Sequence, residues 1–113
     1  MVTTILSIFL AVVCIASAVA DFKVVPRVVE IVARLGVPTR LIPILGVAKA
    51  AGGLGLLIGL ANEDLQIFTA LCLTIYFALA TFLHLRVKDS PADTAPAGVL
   101  FVVALITFVT ALG

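Results

Sequence analysis

The chain has 113 residues, of which 64% are hydrophobic and only 12% charged, with a formal net charge of +1. A soluble domain of this length needs far more charge to cover its surface, and the balanced charge leaves no basic excess to hold nucleic acid. The charges fall between apolar runs, so the chain reads as one integral membrane domain over residues 1–113.

The first apolar run is about Thr3 to Ala20. Ala18-Val19-Ala20 ahead of Asp21 has the small residues of a leader cleavage site. Met1 to Ala20 contains no Lys or Arg, however, so the positively charged start of a leader is missing. The run is read as a retained first span. Residues 21–40 form a polar connection in which Pro26 opens a short helix. Arg27, Glu30 and Arg34 share one face, Val28, Val32 and Leu35 take the other, and Gly36 and Pro38 end it. This pattern predicts a short amphipathic helix in the membrane interface, with a solvated loop helix as the alternative.

Leu41 to Leu60, LIPILGVAKAAGGLGLLIGL, has the length to cross about 30 Å of hydrocarbon and carries a single charge, Lys49, near its middle. A lysine at that depth costs roughly 2.5 to 3.5 kcal/mol on insertion scales. Gly55 and Gly59 make a G-x-x-x-G that, with Ala51, gives a smooth strip for helix packing within the bundle or, alternatively, for an oligomer contact. Asn62-Glu63-Asp64 is an acidic turn. The third span is about 65–85, with Tyr76 near its middle and His84 at its far end. A loop over 86–96, broken by Pro91 and Pro96, leads to a short fourth span over 97–112. The expected fold is therefore all-α: a four-helix antiparallel membrane bundle with one amphipathic helix between the first and second spans. Cys14 and Cys72 lie inside apolar runs without a C-x-x-C and read as small apolar core side chains.

Of the seven Lys and Arg, six lie in two connections: Lys23, Arg27, Arg34 and Arg40 in the first, Arg86 and Lys88 in the third. Those connections share a side, and the opposite side carries none, so both termini are expected outside. Lys49 and Tyr76 then lie at one depth, roughly 12 to 14 Å in at about 1.5 Å per residue. A phenol suits a buried ammonium. His84 is expected at the cytoplasmic mouth, near Asp21 or Asp89. Gly46 and Gly53 flank Lys49 on its own face and are expected to leave room for a ligand. Lys49 has two quieter roles open to it: snorkelling toward the headgroups, or a structural pair with Glu30 or Asp21. Tyr76 has packing as its alternative, and His84 interfacial anchoring.

Leu35-Gly36-Val37-Pro38 ahead of the run Leu45 to Leu57, LGVAKAAGGLGLL, resembles the second-helix signature of the DoxX-like membrane proteins. Tyr76 to His84, YFALATFLH, followed by a charged loop with Asp89 and then Pro96-Ala97, resembles that family as well. The resemblance covers about residues 20–112. It implies a four-helix bundle in the bacterial cytoplasmic membrane. It also implies a link to quinone-coupled sulfur oxidation or to complexes that handle oxidative stress. The chain has no C-x-x-C, no paired histidines for haem and no nucleotide fingerprint, so any part in redox chemistry requires electrons from a partner or a bound quinone. No catalytic set is read in the isolated chain. Three functions stay open: a quinone- or lipid-binding accessory subunit using Lys49, Tyr76, Gly46, Gly53 and His84; an assembly scaffold for other membrane or redox subunits; and a small transporter or proton path through Lys49 and His84.

Overall fold

The computed structural model describes residues 2–23, 26–88 and 90–113, with the backbone alone at Asp93. Among these residues there are five α-helices and no strand. They are α1 (Val2–Phe22), α2 (Pro26–Arg34), α3 (Ile42–Gly59), α4 (Glu63–Arg86) and α5 (Pro91–Ala111), with a turn of 3-10 helix at Thr39–Leu41 leading into α3. Four of them, α1, α3, α4 and α5, are long and apolar enough to cross a membrane.

Local chemistry sets the helix ends. Asn62 caps α4 by accepting a hydrogen bond from the Leu65 backbone N–H (3.1 Å), and Glu63 and Asp64 occupy the first turn, next to its positive pole. Gly36, at φ +80°, closes α2 in the left-handed conformation a glycine adopts without strain. Its N–H donates to the Ala33 carbonyl and that of Val37 to the Val32 carbonyl, at 3.1 and 3.3 Å. The start of α5 differs from the sequence expectation. Pro91 opens the helix, because its missing N–H is not needed in a first turn, and Pro96 lies inside it. The expected loop over 86–96 is thus half helix.

α1 packs along α3 and α4 along α5, while α3 against α4 and α1 against α5 close a four-helix ring. Thr3 Oγ1 donates to Thr110 Oγ1 at 2.7 Å, which puts the starts of α1 and the end of α5 together. That end of the ring also holds the Asn62 turn; α2 and the end of α4 at Arg86 lie at the other. The core sets the small side chains of Ala11, Cys14, Ala70 and Ala104 among Leu10, Leu56, Leu73 and Phe77. The outside is apolar: Val12, Ile44, Phe68 and Val109 are each more than half exposed. An apolar exterior over an all-helical backbone is what hydrocarbon demands. Thr74, Thr81 and Thr107 satisfy their hydroxyls by donating to the carbonyl one turn back, each at 2.7 Å. Cys14 is buried, as expected, but Cys72 is exposed on the outer face and is not a core residue.

Candidate functional site

α3 carries five glycines, and they serve two neighbours. Added Cβ atoms at Gly52, Gly55 and Gly59 would come within 2.6 to 2.8 Å of Leu73, Thr69 and Gln66, so this strip lets α4 lie directly on α3. Ala51, expected in the strip, is exposed and gives way to Gly52. Gly46 and Gly53 face α1. A Cβ at Gly46 would stand 3.0 Å from Asp21 Cβ and 3.1 Å from the Phe22 ring; at Gly53 it would meet Ile15 at 2.7 Å. The space expected beside the amine at these two positions is therefore filled by α1, and neither glycine lines the cleft beside Lys49.

Close approach of α1 brings its last turns against Lys49. The ammonium donates to Ser17 Oγ at 2.8 Å and stands 3.0 Å from Asp21 Oδ2. Ser17 and Asp21 are one turn apart and so share a face, a spacing that could have marked them as a joint partner for the lysine. Of the two acidic partners weighed for Lys49, the structure selects Asp21; Glu30 is exposed on α2. Asp21 is only 2% exposed. Its Oδ2 is charge-matched by Lys49, yet the contact lacks hydrogen-bond geometry, and the oxygen has no hydrogen bond among the described residues.

Next to this pair lies a cleft of about 600 Å³ at the α2 end of the ring. Asp21, Lys49, Tyr76 and His84 all line it, so three of the five site residues expected from the sequence meet in one cavity. His84 is buried near the end of α4. Asp89, its other expected neighbour, lies outside the described residues. Arg27 adds a further charge to the lining. The remaining wall is apolar. Val28, Ile31, Val32 and Leu35 of the α2 segment cover it from one side, and Pro96, Ala97 and Leu100 of α5 from another. The apolar face of α2 is thus turned onto the cleft, where the sequence pattern alone suggested contact with lipid. Glu30 and Arg34 are exposed on its other face, as expected, whereas Arg27 is exposed and also borders the cleft. The Tyr76 and Phe77 rings, both in the lining, meet edge to face at 5.1 Å. Among the described residues, no three His, Cys, Asp or Glu side chains cluster as a metal site requires.

The family model described as the DoxX-like family matches residues 5–107. The chain belongs to the DoxX-like family. The comparison with curated proteins found no significant match, and neither did the comparison with solved structures. Both stretches that carry the DoxX-like resemblance contribute to the cleft: Leu45 and Lys49 from α3, and Tyr76 to His84 along α4.

Proposed function

We propose that this multi-pass membrane protein is a binding subunit that holds the polar head of a quinone or lipid in the α2-end cleft, in the service of a membrane redox or stress-response complex. The observation that supports it most is an apolar cleft of about 600 Å³ with a charged pair, a phenol and an imidazole in its lining. Small-molecule sites are built this way, mostly apolar with a few polar groups that fix orientation. Lys49 and Tyr76 supply donors for a ligand oxygen, and the apolar side chains of α2 and α5 suit a ring or tail. In the same reading the α2 end faces the cytoplasm, because Lys23, Arg27, Arg34, Arg40, Arg86 and Lys88 all belong to connections at that end.

The test is mass spectrometry of organic extracts from protein purified in mild detergent. Wild type should carry a quinone or lipid in near-stoichiometric quantity. Tyr76→Phe should retain several-fold less, and the charge-neutral double variant Asp21→Asn/Lys49→Met less again. A second reading is favoured by one observation, the Lys49 contact with Asp21 and Ser17, which ties α1 to α3 whether or not a ligand binds. There the protein is a scaffold. An empty wild-type extract together with a stably co-purifying partner chain would select it and reject the binding subunit.

A further inference from the structure

We infer that Asp21 is a ligand-binding residue and that the cleft selects a head group bearing a neutral hydroxyl, a hydroquinone or phenol in preference to the corresponding quinone. The inference rests on the reading of the cleft as a binding site and adds to it the chemical class of the head.

Asp21 lines the cleft, is 2% exposed, and has a buried Oδ2 without a hydrogen bond among the described residues. A buried polar atom in that state costs free energy until a donor reaches it. A carboxylate paired with an ammonium is acceptor-only, so what completes it must be an O–H or N–H. Lys49 directs one hydrogen bond to Ser17 and stands 3.0 Å from Oδ2, so its charge is already matched. With the charges of Asp21 and Lys49 cancelling, a further ion beside this pair is disfavoured. An anionic head would face the Asp21 carboxylate, and a cationic one would crowd the Lys49 ammonium.

Hydroxyl is the group that meets both sides of this pair. It donates its proton to Asp21 and accepts, through its lone pairs, from Lys49 or Tyr76. A quinone carbonyl has lone pairs only. It satisfies the amine but leaves Oδ2 unmet, and set beside the carboxylate it is repelled. Discrimination by a buried group left without its partner is the strongest kind available to a small site.

Four probes separate the possibilities: a decyl-substituted benzohydroquinone under anaerobic reducing conditions, the matching decyl benzoquinone, 4-decylphenol and 4-decylanisole. The last two differ only in the donor and do not depend on redox state. Binding is measured by titration of the full chain in detergent. The hydroquinone and phenol are expected to bind at least about tenfold more tightly than the quinone and anisole, as one hydrogen bond to a charged group predicts. In Asp21→Asn/Lys49→Met the phenol-to-anisole ratio should fall toward one. Wild type that binds all four equally, or prefers the quinone, overturns the inference and leaves the cleft reading standing. Wild type that binds none of them overturns both. A phenol preference that survives in the double variant removes Asp21 from the site. Should the double variant fail to fold, the wild-type phenol-to-anisole ratio still decides.

Discussion

At the Asn62 end of the ring, α3 meets α4 through bare backbone. Gly59 lies over the main chain of Gln66, and Gly55 over the Thr69 side chain. The Gln66 amide donates to Ser7 Oγ of α1 at 3.0 Å, and Thr3 bonds Thr110, so every neighbour is drawn in. At the α2 end the same helices stand around a cleft. There α3 presents Leu45 and Lys49, and α4 presents Tyr76, Leu83 and His84. One end is sealed by removing side chains, and the other is kept apart by large and polar ones. A short bundle can hold a site when the close packing of α3 on α4 lies away from it, and here the Asp21–Lys49 pair serves stability and cavity together.

Breaking the charged pair should disturb this division most. Lys49→Met strands a buried carboxylate in apolar surroundings and is expected to cost about 3 to 5 kcal/mol. The melting curve in detergent should fall sharply and recover largely in Asp21→Asn/Lys49→Met. A single variant as stable as wild type would show that the pair does not hold α1 to α3. Next comes the sealed end. Gly59→Val places a Cβ 2.8 Å from Gln66 Cα, where main chain cannot step aside, and should cost about 1 to 3 kcal/mol. The matching enlargement at the open end is Ala80→Leu, into the cleft wall. It should change stability by less than about 0.5 kcal/mol while reducing ligand retention several-fold. Equal losses of stability in the two enlargements would erase the contrast between the ends.

Much of this was legible in the residues. Long apolar runs fixed the existence of the four spans, since nothing else satisfies such sequences in lipid. Lys49 stood out because it is the one charge in its run. Tyr76 followed from depth and His84 from its place at the mouth, and both share the cleft with Lys49. Gly46 and Gly53 were misread for a definite reason. Helical periodicity shows which residues share a face, but not whether that face meets a cavity or a neighbouring helix, and here α1 occupies it. The apolar side of α2 was open to the same ambiguity between lipid and protein. Pro91 was taken for a breaker, although at the first position of a helix it is a starter.

The contacts between α1 and α3 also form a ladder. Phe22 and Asp21 sit over Gly46, Ser17 meets Lys49, and Ile15 sits over Gly53. As α1 is read backward, α3 is read forward, and each rung would be lost if one helix slid along the other by a single turn of about 5.4 Å. The ladder is a depth gauge. Bilayers differ in thickness, and a helix pair adapts by tilting, sliding or distorting the lipid. Sliding is closed to this pair, so the expectation is that distances between spin labels at the exposed positions Val12 and Leu54 stay constant across lipids of different chain length; a distance that drifts with thickness would refute it. α1 and α3 answer a thicker or thinner membrane by leaning together, as one body.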